Sequence, residues 1–259
     1  MKGRASPCRG AYELESLHNG SAMTKILHKD AMDTELWNTF TADPTTGVAL
    51  LSVEGDLLYI NEPSARIFYN VNKDPNEIIG LTMYELGFPQ EWARERLELF
   101  KKIRDTGESV LLRTIWHGKQ QFSWMSLIKG DEEYSLDRIL VITRRIAAGE
   151  ESQYLLEGEH DVFQSNIMCL GELKSLTPRE VEVLSLLGQG MTIKEIATAL
   201  FRSVKTIENH RESIGRKLKK TRGIELAVIA QSAGLRVDDS IRKRVGEDKP
   251  CKSDPDIQS

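Results

Sequence analysis

The chain has 259 residues, which at roughly 150 residues per domain is long enough for about two domains. Hydrophobic residues make up 40% and charged residues 29%, an ordinary composition for a folded globular protein. No apolar run approaches the roughly 18 residues of a membrane span, so a membrane protein is excluded. Residues 1–19 carry charges and lack an apolar core of about 7 residues, so the sequence predicts no secretory signal and a cytoplasmic location. The three cysteines, Cys8, Cys169 and Cys251, have neither pairing nor metal-ligand spacing.

Charge is distributed unevenly along the chain. Residues 174–236 contain twelve Lys or Arg and six Asp or Glu, a net charge of +6, whereas the rest carries −10. A basic segment beside an acidic one indicates that the two have different partners. The sequence accordingly predicts a flexible N-terminal segment at 1–34, an α+β domain at 35–148, a linker at 149–173, a helical domain at 174–236 and a disordered tail at 237–259.

The acidic domain alternates strand-like with helix-like patterns. Residues 47–53 and 57–60 flank the turn Gly55-Asp56, which predicts a β-hairpin. Apolar residues three to five apart predict an amphipathic helix over 90–106. Because the later strands are sequential hairpin neighbours, we expect an antiparallel sheet with helices on one face. These later strands are predicted at 109–116, 121–128 and 136–146. The linker that follows has room for one helix.

The basic segment carries the densest helix punctuation of the chain. Two helices are predicted to begin with a capping box, in which an N-cap threonine and a glutamate three residues later bond each other's backbone N–H groups. Ser203 is predicted to cap a third helix after a connection of about three residues, which is typical of a helix-turn-helix. A fourth helix is expected over about 222–233. The capping pairs are Thr177 with Glu180 and Thr192 with Glu195.

The predicted third helix has two different faces. Ile207, Ile214 and Leu218 recur at helical spacing and predict a buried stripe. A major groove about 12 Å wide accepts one α-helix, so a polar stripe on the opposite face can reach base edges. That opposite stripe is wholly polar and consists of Lys205, Asn209, Glu212 and Arg216. Cations crowd the far end of the helix, where backbone phosphates are expected to pass: Lys217, Lys219, Lys220 and Arg222.

The same segment resembles the LuxR/FixJ-type helix-turn-helix of bacterial transcription regulators. The resemblance lies in Leu176-Thr-Pro-Arg-Glu-Val-Glu-Val-Leu184, Lys194-Glu-Ile-Ala197 and Ser203-Val-Lys-Thr-Ile-Glu-Asn-His-Arg211. It implies a small all-α domain of four helices in which the third helix enters the major groove and the fourth supports dimerisation. It further implies base contacts from Glu208, Asn209 and Glu212, and backbone contacts from Lys205, Thr206, Arg211 and Lys217.

Two glutamates depart from the pattern, because some family members have lysine at these positions. A carboxylate at Glu208 or Glu212 can accept a hydrogen bond from a cytosine amino group, whereas Asn209 can pair bidentately with adenine. Alternatively, Glu208 pairs with Arg211, and Glu212 with Arg216, within the helix. The target base sequence stays open.

The acidic domain resembles a PAS domain in its order of elements. The segments that carry the resemblance are Tyr59-Ile-Asn-Glu-Pro-Ser-Ala65 and Ile78-Ile-Gly-Leu-Thr-Met-Tyr-Glu-Leu86. It implies a five-stranded antiparallel sheet whose inner face encloses a small ligand or serves as a dimer surface.

Known PAS cofactors fit the sequence poorly. A thiol-adduct flavin needs a cysteine, and residues 35–148 contain none. Haem usually needs an axial histidine on a helix, but His117 falls in a predicted turn. The alternating aromatic residues Trp116, Phe122 and Trp124 can stack on a ligand, although this pattern favours core packing.

Enzyme signatures are missing from the chain. It contains no G-x-x-x-x-G-K-[ST] loop, G-x-S-x-G elbow or H-E-x-x-H helix, so we expect no enzyme. The sequence predicts a homodimeric transcription regulator that binds double-stranded DNA, with a PAS-like sensor controlling a LuxR-type output domain. The alternative is a signalling adaptor whose PAS-like domain binds a protein partner and for which DNA binding is secondary.

Overall fold

The computed structural model describes residues 41–69, 74–130, 136–150, 162–220 and 222–246. The predicted flexible segment at 1–34 lies outside these ranges. The strands are β1 (Gly47–Ser52), β2 (Leu57–Ile60), β3 (Val110–Trp116), β4 (Lys119–Ile128), β5 (Arg138–Arg145), β6 (Val162–Met168) and β7 (Lys243–Arg244). The α-helices are α1 (Glu62–Tyr69), α2 (Gln90–Thr106), α3 (Pro178–Gly188), α4 (Ile193–Ala199), α5 (Val204–Lys217) and α6 (Gly223–Ala233). No helix in the described ranges is long and apolar enough to cross a bilayer.

The described strands form one sheet in the order β2-β1-β5-β4-β3-β6-β7. The first five pair antiparallel, with α1 and α2 between β2 and β3, so the predicted PAS-like fold is confirmed. The β1–β2 hairpin turns at Gly55, whose φ of +97° a side chain rarely adopts. A Cβ there would also lie 2.6 Å from a methyl group of Leu97 in α2, so the turn packs closely on that helix.

The core of the PAS-like domain, which we call the sensor domain after the role that the sequence predicts for residues 35–148, lies between the sheet and its helices. Helix α2 buries one face, as its spacing predicts, and Trp92, Phe100 and Ile103 pack against Met125 and Val141 of the sheet. Gly107 ends the helix in the left-handed conformation and donates its N–H to Ile103 O at 2.8 Å. The predicted bounds of this helix are those observed.

The sheet continues beyond the sensor domain. Strand β6 lies inside the predicted linker and pairs parallel with β3, with Leu111 opposite Val162. Residues 162–173 of the predicted linker therefore hold a strand and a 3₁₀ turn. The reason is non-local, since β3 would otherwise present an unpaired edge to solvent. Residues 151–161, where the linker also has room for the predicted helix, lie outside the described ranges.

The prediction that the chain is disordered from residue 237 onward is wrong for its first ten residues. Residues 237–241 form a 3₁₀ helix, and β7 then pairs with β6, with Ile167 opposite Lys243. The chain is thus ordered through Gly246 because Asp239, although it lies in a polar stretch, is fully buried against the sensor sheet. We call residues 237–246 the C-terminal clasp. Residues 247–259 lie outside the described ranges.

The helical domain follows its capping residues. Both predicted capping boxes form, and Ser203 caps α5 by accepting from Thr206 N at 3.1 Å. A Cβ on Gly188 would lie 2.6 Å from Ala230 O, so this glycine allows α3 and α6 to approach closely. The core of this domain extends onto the outer face of the sheet through Ile115.

Candidate nucleic-acid interface

Helix α5 is held from behind by apolar contacts. Ile207 and Ile214 are fully buried in the core of the helical domain, and Leu218 packs against that core at the end of the helix. The turn before α5 bends at Phe201, which has a φ of +52°. Arg202 N then donates to Ala197 O at 2.9 Å and closes the turn between α4 and α5. The two helices thus have the predicted helix-turn-helix connection.

The opposite face of α5 is open to solvent. All four residues of the polar stripe are exposed, and they are Lys205, Asn209, Glu212 and Arg216. Arg211 is also exposed, whereas Thr206 and Glu208 are half-buried. The sensor domain does not cover this face. A DNA major groove, which is wide enough for one α-helix, can therefore approach it.

Within α5 the structure gives Glu208 an ion-pair partner other than the predicted Arg211. Its carboxylate lies 3.6 Å from the ammonium group of Lys205, one turn earlier on the same exposed surface. Among the described side chains, no ion pair joins Glu208 to Arg211 or Glu212 to Arg216. Exposed pairs of this kind contribute little, about 0–1 kcal/mol, so Glu208 and Lys205 can exchange each other for a polar ligand.

Lys217 occupies a special position on α5. Its ammonium group donates to Glu180 Oε2 at 2.6 Å, and Ser213 Oγ donates to Glu180 Oε1 at 2.7 Å. Glu180 is also the capping-box residue of α3 and accepts from Thr177 N at 2.7 Å. One buried carboxylate therefore fixes the start of α3 and the end of α5 together.

Glu180 is ionised over the whole ordinary pH range. Burial alone would raise its pKa, but the hydrogen bonds from Lys217, Thr177 and Ser213 outweigh burial and lower the pKa to about 2. The sequence identified Glu180 only as a capping residue. Its second role was missed because Ser213 and Lys217 lie 33 and 37 residues further along the chain.

A cluster of cations follows α5. Lys219, Lys220 and Arg222 are all exposed, and the chain turns at Lys219 with a φ of +54°. Lys220 lies 4.0 Å from Glu225 at the start of α6. This end of the helix therefore presents positive charge to any polyanion that approaches the polar stripe.

Helix α6 leaves part of its apolar surface uncovered. Leu226 and Ala230 are buried against α3, whereas Ile224 is 73% and Val228 60% exposed. These two residues lie one helical turn apart and form a continuous apolar patch on the helix that was predicted to support dimerisation.

A small cavity lies between the sensor sheet and its helices. Its volume is about 50 Å³, and its walls are largely aromatic and aliphatic. Of the aromatic residues singled out in the sequence, none lines it: Trp116 packs beside it in the core, and Phe122 and Trp124 pack in a separate cluster with Leu111. His117 does not line it either, and its Nε2 lies 3.0 Å from Phe68 O.

Two hydrogen-bond donors reach the cavity wall. Arg96 is 3% exposed, bonds Glu95 Oε2 at 2.6 Å and lies 4.7 Å from the ring centroid of Trp92. Burial lowers the pKa of the Arg96 guanidinium, while Glu95 acts in the opposite direction. Trp92 Nε1 is buried and has no hydrogen-bond partner among the residues that the structure describes. The sequence missed Arg96 because it stands in a charged stretch that is typical of a solvent-facing helix.

Comparison with known proteins identifies the C-terminal domain. Residues 174–230 match the model of the luxR family of bacterial regulatory proteins. These residues form a LuxR-type helix-turn-helix domain. The match includes all of α3, α4 and α5 and most of α6.

Individual relatives extend the comparison. Over 60 residues, the chain is 48% identical to the uncharacterized response regulatory protein YgeK of Escherichia coli strain K12, an alignment that covers 23% of this chain. The chain thus spans only 41% of the length of that relative. It is 26% identical over 160 residues to the transcriptional regulatory protein MctR of Rhizobium johnstonii, covering 60% of this chain and 72% of MctR.

Among solved structures, the chain is similar to VqmA of Vibrio cholera in complex with a ligand and DNA. The TM-score is 0.46 at 18% sequence identity, and the match covers 83% of this chain and 94% of VqmA.

Proposed function

We propose that this chain is a bacterial DNA-binding transcription regulator whose PAS-like sensor domain controls its LuxR-type domain. The observation that carries the proposal is the exposed polar stripe on α5, which is backed by buried Ile207 and Ile214 and faces away from the protein core. A helix held in this way enters a major groove with its side chains against base edges. The relationship to MctR, a transcriptional regulatory protein, supports this proposal.

The side chains of α5 would make two kinds of contact, one with base edges and one with the sugar-phosphate backbone. Asn209 would pair with adenine, whereas Glu208 and Glu212 would accept from cytosine amino groups. The remaining donors would bind the sugar-phosphate backbone and fix the register of the helix, and these are Lys205, Thr206, Arg211, Arg216 and Lys217. Lys217 bonds Glu180 with one of the three N–H groups of its ammonium and keeps the others for a phosphate.

The chain would act as a cytoplasmic homodimer. The uncovered apolar patch on α6, formed by Ile224 and Val228, would pair with its counterpart on a second copy. The two DNA-binding domains of the dimer, about 34 Å apart, would bind a pseudo-palindrome whose half-sites are separated by one helical turn. A substitution of Val228→Glu would then yield monomers, which sedimentation equilibrium would detect.

The sensor cavity would bind a small ligand. Apolar walls with a few placed donors are typical of ligand sites, and here the donors come from Arg96 and Trp92. The ligand would be a compact, largely apolar molecule that carries hydrogen-bond acceptors.

A competition experiment tests the function as a whole. A preferred site is selected from a random duplex library with the full chain, and its retention is compared with that of random competitor over a range of salt concentrations. A specific regulator should prefer the selected site by roughly 10³ or more, and its affinity should fall steeply with salt. A chain that serves mainly as a protein adaptor would select no consensus and show no such ratio.

A further inference from the structure

Helix α2 lines the sensor cavity on one side and contacts strand β6 on the other. Arg96 lines the cavity, and its neighbour Glu95 turns toward β6, where Glu95 Oε2 accepts from Ser165 Oγ at 2.6 Å. Glu95 Oε1 accepts from Asn166 N at 2.8 Å. One carboxylate thus joins the cavity arginine to the strand that extends the sheet.

The same strand is bonded to the C-terminal clasp. Arg242 donates through Nη1 to Ser165 O at 2.7 Å and through Nη2 to Gln164 Oε1 at 2.8 Å. Its Nε lies 3.0 Å from Asp239 Oδ1. Val245 N donates to Met168 O at 2.9 Å, which adds a backbone link to β6.

The clasp is fastened to the sensor sheet by a buried ion pair. Arg113 of β3 donates through both Nη atoms to the two oxygens of Asp239, at 2.7 Å each, and both side chains are fully buried. Arg113 Nη2 also donates to Gly234 O, the C-cap of α6, at 3.2 Å. The last helix of the DNA-binding domain and the clasp that follows it are therefore bonded to one sensor residue.

These contacts form a path with two segments that meet at Ser165: one runs from Arg96 through Glu95 to the Ser165 hydroxyl, and the other from the Ser165 carbonyl through Arg242 to Asp239. Arg96, Ser165 and Asp239 are buried, so water cannot readily replace a bond that is lost there. The loss of one hydrogen bond would therefore leave a polar group of the neighbouring residue without a partner.

We propose that Arg96 and the clasp are the two ends of one hydrogen-bonded relay, through which the hydrogen bonding of Arg96 in the cavity sets how firmly the DNA-binding domain is held on the sensor. The inference rests on the proposed function, since it names how the sensor acts on the DNA-binding domain. A cavity ligand that accepts a hydrogen bond from Arg96 competes with Glu95 for the guanidinium. Glu95 then redistributes its bonds to Ser165 and Asn166, and Arg242 and Asp239 follow.

Hydrogen exchange of the full chain without DNA tests the relay. The Arg96→Met substitution removes the donors but preserves much of the side-chain volume. It should raise the exchange rate of amides in 237–246, including Val245, by about threefold or more. Arg96→Lys retains a donor for Glu95 and should restore much of the protection. The matched control is Glu98→Gln, an exposed glutamate on the same helix, which should leave the clasp unchanged.

A double-mutant cycle separates coupling from general loosening. Arg96→Met and Arg242→Met are compared singly and together, and a relay predicts that the combined change in exchange is smaller than the product of the two single changes. Independent, multiplicative effects would overturn the proposal, as would an unchanged clasp in Arg96→Met. Because exchange is measured without DNA, a chain that fails to select a DNA site would reject the proposed function without affecting this result.

Discussion

Two buried carboxylates hold the DNA-binding domain, and they do so in different places. Glu180 works inside the domain and joins α3 to α5 through Ser213 and Lys217. Asp239 works at its boundary and joins the clasp to Arg113 of the sensor, 126 residues away in sequence. The first therefore sets the shape of the domain, whereas the second sets its attachment.

The two carboxylates share the same electrostatic balance. Burial would raise the pKa of each, but hydrogen bonds lower the pKa of both below its ordinary value, and at Asp239 the charges of Arg113 and Arg242 act in the same direction. Each is therefore ionised at neutral pH. Losing Asp239 would leave the fully buried Arg113 without its counter-charge, whereas losing Glu180 would leave the partly buried Lys217 without its partner. Substitutions at the two positions can thus separate shape from attachment.

The largest effect is expected at the attachment. Asp239→Ala should lower the free energy of unfolding by about 3–5 kcal/mol, because it leaves the fully buried Arg113 guanidinium without its carboxylate. Chemical denaturation at pH 7 measures the change. Its neighbour Asp238, which is exposed and lies 3.6 Å from Arg242, provides the control. Asp238→Ala should change stability by less than about 1 kcal/mol, and equal losses would refute a special role for Asp239.

The Glu180 contacts inside the domain predict that the free energy of unfolding depends on pH. The pKa of Glu180 is lowered from 4.5 to about 2 in the folded chain, so its contribution is complete above pH 4.5 and is lost as the pH falls toward 2. The contribution amounts to about 3 kcal/mol. The difference in unfolding free energy between the natural chain and Glu180→Gln should therefore shrink over this range, measured by denaturation at a series of pH values.

Glu195 sharpens this test. It occupies the same capping position on α4 but is exposed, and its bonds are to Thr192. Glu195→Gln should cost less at pH 7 than Glu180→Gln. If the two variants behaved alike, capping alone would explain Glu180, and the tie to α5 would contribute nothing.

Asn209 is supported by neither carboxylate and should affect binding without affecting the fold. Asn209→Ala should leave the unfolding free energy within about 0.5 kcal/mol, since the side chain is exposed. It should weaken binding to the selected site by about 1–3 kcal/mol and relax the preference at one base pair. Fluorescence anisotropy with labelled duplexes measures both. The exposed Gln189, at the end of α3, serves as control, and Gln189→Ala should bind as the natural chain does.

The smallest change is expected at the start of α5. Ser203→Ala removes the acceptor for Thr206 N and should cost about 1 kcal/mol of stability. Thermal unfolding compared with Ser175→Ala, an exposed serine outside the helices, measures it. A cost equal to that of the control would mean that α5 does not depend on its cap.

The sequence predicted those features whose causes are local. Thr177, Thr192 and Ser203 specify where α3, α4 and α5 begin, because a capping side chain acts within three residues. The hairpin at Gly55 and the helix at 90–106 follow from turn chemistry and apolar spacing in the same way.

Features with distant causes were not predicted. Asp239 reads as part of a solvated tail because its partner Arg113 lies on a strand far away in sequence. The sequence of β6 was assigned to a linker because this segment becomes a strand only by pairing with the otherwise open edge of β3. Arg96 and Glu95 likewise read as solvent-facing charges, although one is buried at the cavity and the other bonds β6.

The central claim is that the polar face of α5 meets DNA. Backbone amide shifts measured by NMR while the full chain is titrated with its selected duplex test this most directly. The account predicts that the largest shifts fall on residues 204–217, including Lys205, Asn209 and Arg216. Shifts concentrated on α6 or on the sensor sheet, with α5 unchanged, would contradict it.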